Sequence, residues 1–184
     1  MRSYSMRGVL GAADRAVALT RDVLMHESPK SYVHDVQGDP RFQHRGVDLL
    51  WERPGEKVLG IEVKGDRQGH RRGTYFFELI SNAEKDSPGC FLYSIADLLV
   101  YVMLDVQHVH ILQLKEVRDW FVPRAKEYPI KTTKTRTGAR LYTTVGATVP
   151  IRHVHDALPA CVRVQDVKSL GLLPGLTSQE PAAR

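Results

Sequence analysis

Arg53-Pro54-Gly55-Glu56 stands between two runs of strand-forming residues, 47–52 and 57–65, and leaves the chain little choice there. Proline presets the φ of a turn's first central position and glycine accepts the positive φ that can follow it. A Pro-Gly pair therefore folds the two runs back on each other as an antiparallel hairpin. Side chains alternate between the faces of a strand. In Val58-Leu59-Gly60-Ile61-Glu62-Val63-Lys64, Ile61 and Val63 face one way, toward a core, and Glu62 and Lys64 face the other. Two charges opposite an aliphatic face are costly to hold unless something binds them. The first run adds another acid, Asp48, in Gly46-Val47-Asp48-Leu49-Leu50-Trp51.

The remaining pattern is mixed. Leu10, Ala13, Ala16, Val17 and Leu24 recur at helical spacing, so a helix is expected over 9–27, stopped by Pro29. Gly38-Asp39-Pro40 signals a turn after a short strand at 31–36. Further strands are expected at 74–80, 99–104, 109–114, 139–145 and 162–167, with an amphipathic helix over 115–127 that ends near Pro123. Polar loops fill 66–73 and 82–89, and 94–98 reads as a helical turn or loop. This order is an α/β (α+β) pattern. The 184 residues suit one domain, 1–173, with a flexible tail at 174–184. A hydrophobic share of 42% supports a core and excludes global disorder. No apolar run approaches the roughly 20 residues that span a bilayer, so no membrane partner is expected. Residues 1–7 lack a signal core, and Cys90 and Cys161 form no CxxC pair, so a cytoplasmic protein with free thiols is expected. The net charge of +5 suits a polyanionic partner and equally a plain solvated surface.

Carboxylates on adjoining strands, Asp48 and Glu62, suit Mg²⁺, a hard ion that takes oxygen ligands and keeps several waters. The Val63 carbonyl offers a third oxygen, and Mn²⁺ is expected to substitute. Lys64 would orient water and phosphate, or act as a general base if a nearby ion lowered its pKa. The plainer alternative is a surface salt bridge, worth about 0–1 kcal/mol. Glu78, the one charge in Tyr75-Phe76-Phe77-Glu78-Leu79-Ile80, would complete the metal shell or hold Lys64; the alternative is a solvent-facing glutamate on an edge strand. Asp14 reads as an ordinary helix charge, Asp97 as a cap and His44 as a loop histidine. His108/His110 and His153/His155 would each put two rings on one face of a strand, as zinc requires. No cysteine or acid completes either set, so zinc is not expected. Arg67, His70, Arg71 and Arg72 follow Lys64, and Lys131, Lys134, Arg136 and Arg140 lie among threonines. Both clusters suit phosphate contacts, and both also suit flexible solvated loops. No base-reading module is present in the sequence.

These residues and this order resemble the PD-(D/E)xK nuclease superfamily over roughly 9–114. Asp48 matches its first acid, and Glu62 and Lys64 match its paired acid and lysine; Val47 stands where the family often has proline. The resemblance implies a restriction-endonuclease-like core, a mixed β-sheet flanked by helices. It implies a Mg²⁺-dependent endonuclease with catalytic Asp48, Glu62, Lys64 and Glu78, closest to small phage-type nucleases and Holliday junction resolvases. The partner implied is DNA, double-stranded or branched, cut by a homodimer. Two other readings remain: a non-catalytic nucleic-acid-binding or assembly module on the same fold, and a nuclease that cleaves RNA.

Overall fold

The structure, a computed structural model, describes residues 3–4, 6–137 and 140–172, with side chains within 11–134 and 141–172. The expected tail lies outside the described residues. In chain order the elements are β1 (Ser3–Tyr4), α1 (Met6–Glu27), β2 (Tyr32–Asp35), α2 (Pro40–Gln43), β3 (Leu49–Glu52), β4 (Leu59–Asp66), α3 (Gly69–Arg72) and β5 (Thr74–Asn82). There follow β6 (Ser87–Pro88), α4 (Cys90–Tyr93), β7 (Leu98–Met103), β8 (His108–Gln113), α5 (Leu114–Phe121), β9 (Ile130–Thr137), β10 (Arg140–Pro150), α6 (Ile151–Ala157) and β11 (Val162–Asp166).

The strands make two sheets. One has six strands in the order β11-β8-β7-β4-β3-β2; the other has five, β1-β9-β10-β5-β6. Strands enter the two sheets in turn: β1 joins the second, β2–β4 the first, β5–β6 the second, β7–β8 the first, β9–β10 the second and β11 the first. The Pro-Gly hairpin forms as expected, with β3 and β4 antiparallel and Leu49 opposite Ile61. β7 then lies parallel to β4, with Glu62 opposite Leu99 and Lys64 opposite Tyr101. The connection between these parallel strands holds α3, β5, β6 and α4 instead of one long helix.

All six residues of β7 are buried, as expected for a parallel strand covered on both faces. Leu98, Val100 and Val102 pack with Ala16, Val17, Leu19 and Val23 of α1. Leu99, Tyr101 and Met103 pack instead with Tyr75 and Phe77 of β5, Val117 and Phe121 of α5, and Ala147 and Val149 of β10. The six-stranded sheet is thus a middle layer, with α1 on one side and the second sheet on the other. Gly65 brings α1 close to β4, because a Cβ there would meet the Ala12 carbonyl oxygen at 2.8 Å and the Ala16 Cβ at 2.9 Å.

Several elements differ from the sequence expectation. Ala13, which the spacing assigns to the buried face of α1, is exposed. The basic threonine-rich stretch at 131–137 is not a loop but β9, paired along its length with β10. Residues 151–157 form a helix, and the strand at 74–80 belongs to the second sheet. Alternation fixes which residues share a face, but not which sheet a strand joins.

Candidate active site

Ile61 belongs to the core under α1 and Val63 packs against it. Glu62 and Lys64 consequently project into the space between the sheets. Asp48 lies just before β3, where its N–H donates to the Ile61 carbonyl (2.8 Å) and its own carbonyl accepts from the Val36 N–H (2.9 Å). Its Oδ2 accepts from the Val63 N–H at 2.8 Å, which turns the carboxylate across the hairpin toward Glu62. Burial and the neighbouring Glu62 push the Asp48 carboxyl up to about 6, against the pull of the Val63 N–H and Lys64.

Glu62 is only 5% exposed and pairs with Lys64, Nζ to Oε1 at 2.7 Å. A third of the Lys64 side chain remains open to solvent. Burial disfavours its ammonium, but Cys90, Glu62 and Glu78 around it hold it well above the usual lysine range. Cys90 contributes little to this at neutral pH, because burial pushes its own thiol up to about 12 and leaves it uncharged. The carboxylates therefore hold the charge on Lys64. As arranged, Lys64 is a cation and not a base.

Glu78 reaches this space from the second sheet, not from a strand beside β4. The β5–β10 register shifts between Gly146 and Val145, so that β5 carries one extra residue beyond Glu78. Such bulges redirect side chains. The Glu78 Oε1 accepts from the Cys90 N–H at 3.4 Å. Gly89 permits that approach, since a Cβ there would sit 2.2 Å from the Glu78 carbonyl oxygen. Arg118 fixes the same segment, donating from Nε to the Phe91 carbonyl (2.8 Å) and from Nη2 to that of Ser94 (2.7 Å). Cys90 and Arg118 had no signal in the sequence: neither lies near the acids along the chain, and neither breaks a pattern.

Val63 enters the site through its N–H, which Asp48 occupies. Among the described residues, no group of three or more His, Cys, Asp or Glu is arranged to hold a metal ion. The pair Asp48 and Glu62 is what the site offers a cation. Buried Glu62 and half-buried Asp48 face one ammonium there, an excess of negative charge that adds to the effect of burial in raising the Asp48 pKa. That excess and an all-oxygen donor set fit Mg²⁺, which commonly takes one or two carboxylates and keeps its waters.

The other expected residues fall elsewhere. Asp14 is exposed on α1, across the sheet from Glu62. Asp97 is structural, accepting from Lys57 Nζ and the Gly60 N–H, each at 2.8 Å. Arg67 and His70 are exposed; Arg72 forms an ion pair with Asp66, and the Arg71 N–H donates to Asp105 at 3.2 Å. This cluster lies beyond the far end of β4, with Asp66 roughly 13 Å along the strand from Glu62. Lys131 and Lys134 lie on β9, and Lys131, Gly146 and Glu78 share one row of the second sheet. Two strand spacings, roughly 10 Å, therefore separate Lys131 from Glu78. Arg136 and Arg140 are strand residues whose side chains lie outside those described.

His153 and His155 sit on α6, so their rings diverge. His155 Nε2 lies 2.9 Å from the Tyr75 hydroxyl, and His110 Nδ1 lies 2.7 Å from it. One hydroxyl donates to one ring and accepts from the other. Burial lowers His110 to about 4 and keeps it neutral.

No family model, no curated protein and no solved structure matches the chain.

Proposed function

We propose that the chain is a Mg²⁺-dependent endonuclease that hydrolyses phosphodiester bonds in DNA, acting at Asp48, Glu62, Lys64 and Glu78. One observation carries this reading: the hairpin turns two carboxylates toward each other in a half-buried space and sets a lysine on one of them. A helix, an antiparallel three-strand meander and a strand parallel to the last of them also support the restriction-endonuclease-like core that the motif implies.

A divalent cation held by Asp48 and Glu62 would offset charge on the phosphate and acidify a water. The protein's part is positioning. The Val63 N–H fixes the rotamer of Asp48. Lys64, held protonated, presents its exposed third to a phosphate oxygen as a point charge on a flexible stem. Glu78 steadies Lys64 from the opposite sheet and is itself held by the Cys90 N–H. The second sheet, with Lys131 in the row of Glu78, offers a flank for the polymer's backbone.

The test is incubation with linear, nicked, single-stranded and four-way-junction DNA in Mg²⁺ or in EDTA. Cleavage in Mg²⁺ that Asp48→Ala abolishes is expected. If no substrate is cut and Asp48→Ala behaves like the wild type, the proposal fails. The non-catalytic reading has one observation of its own, the close Lys64–Glu62 pair, which neutralises Glu62 without a metal. It predicts tight binding, insensitive to Mg²⁺, without cutting.

A further inference from the structure

An open groove of about 620 Å³ has a wall that includes His44, Arg45, Ser81, Ser87, Tyr93 and Ile95. Three of these stand three residues along the chain from a site residue. Arg45 comes three residues before Asp48, Ser81 three after Glu78, and Tyr93 three after Cys90 on α4. Cys90 opens and Tyr93 closes the single turn of α4, and the Cys90 N–H donates to Glu78 Oε1 (3.4 Å), so one short helix joins the groove wall to the site.

The wall is built from exposed side chains on a fixed backbone. Tyr93 is 38% exposed and Ile95 54%. The Ile95 N–H donates to the Arg45 carbonyl (3.0 Å), the Ser94 hydroxyl donates to the Gly46 carbonyl (2.6 Å), and Arg118 grips Ser94 from behind. The backbone that carries the aromatic ring and the arginine is therefore fixed on the same groove wall. Among the described residues no acid pairs with Arg45, whereas the neighbouring Arg41 forks onto Asp39 at 2.6 Å.

We infer that this groove receives an unpaired nucleotide of a single-stranded nucleic acid, its base stacked on Tyr93 and its phosphate met by Arg45. The identity of the polymer rests on the phosphodiesterase reading; the strandedness rests on the groove. A base inside a duplex has both faces covered by its neighbours, and only an unstacked base offers a π-face to an aromatic side chain. A cation beside an exposed ring is the pairing that single-strand tracks use, because it needs no particular base. The Ser87 hydroxyl is left for the sugar or phosphate, while that of Ser81 donates to the Ser87 carbonyl (3.4 Å). The substrate that puts a phosphodiester at Asp48 and Glu62 is then a single strand, or a single-stranded arm of a branched molecule, in preference to intact duplex.

The test separates binding from cutting. Anisotropy is measured in EDTA with short single-stranded DNA, single-stranded RNA of the same sequence and blunt duplex DNA, the single strands carrying a 2-aminopurine whose fluorescence reports stacking. Tyr93→Ala is expected to weaken single-strand binding about tenfold or more and to abolish the aminopurine quench, with duplex binding unchanged. Tyr93→Phe restores both, because the ring and not the hydroxyl makes the stack. Arg45→Ala weakens binding and steepens no quench. The arm that binds better, DNA or RNA, identifies the polymer. Equal single-strand binding by Tyr93→Ala and wild type overturns the inference, as does a wild-type preference for duplex or a failure of Tyr93→Phe to rescue. Cleavage in Mg²⁺ with Tyr93→Ala unchanged overturns the groove and leaves the catalytic reading standing. Tyr93-dependent binding without any cleavage does the reverse.

Discussion

An aspartic acid that would lose its proton near 3.8 keeps it up to about 6 at position 48, since burial and Glu62 both oppose its charge. At neutral pH the folded chain carries that charge at a cost of about 1–3 kcal/mol. Asp48→Asn removes the charge while its amide oxygen can still accept from the Val63 N–H. The variant is expected to be more stable than wild type by about 1–3 kcal/mol in urea at pH 7, and to cleave nothing. Stability equal to or below that of the wild type would show that the carboxylate is not strained by its surroundings. Asp48, Glu62 and Lys64 were legible in the sequence because one short hairpin brings them together. Cys90 was not, because it reaches Glu78 only through the folding of a distant strand and helix.

At the scale of elements, the site depends on how closely α4 approaches the bulged end of β5. Gly89→Ala would press a methyl against the Glu78 carbonyl oxygen, 2.2 Å away. Overpacking of this kind costs about 1–3 kcal/mol. A drop in the urea midpoint together with reduced cleavage is expected; unchanged stability would show that the two backbones are not in contact. The strands were mostly legible, and β7 was plain from its apolar run. Their division between two sheets was not. Alternation told that Glu62 and Lys64 share a face, but nothing local to Thr74–Asn82 says that this strand lies across from them and not beside them. β9 hid for a related reason: its lysines and threonines read as a solvated loop, and only pairing with β10 makes them a strand.

Across the whole molecule, half-buried Asp48 and buried His110 tilt stability in opposite directions as pH falls. Asp48 has a folded pKa above its unfolded value, so acidification from 6 to 3.8 protonates the folded state first and favours it. His110 has a folded pKa of about 4 against 6.5 unfolded, so acidification over that range protonates the unfolded state first and weakens the fold by up to about 3 kcal/mol. Between pH 6 and 4 the two contributions nearly cancel. In metal-free buffer, Asp48→Asn should lose stability more steeply than wild type as pH drops through that window, and His110→Asn should lose it less steeply. Urea titrations at pH 7, 5.5 and 4 measure both slopes; parallel profiles for all three proteins would refute the opposition.

The strands that enter the two sheets by turns leave no seam along which the molecule can be dissected. Any single cut of the backbone between β2 and β10 splits both sheets at once, so neither layer can be lifted out as a working module or exchanged for another. The carboxylates come from one layer and the glutamate that steadies Lys64 from the other. A chain laced this way inherits the space between its sheets whole or not at all.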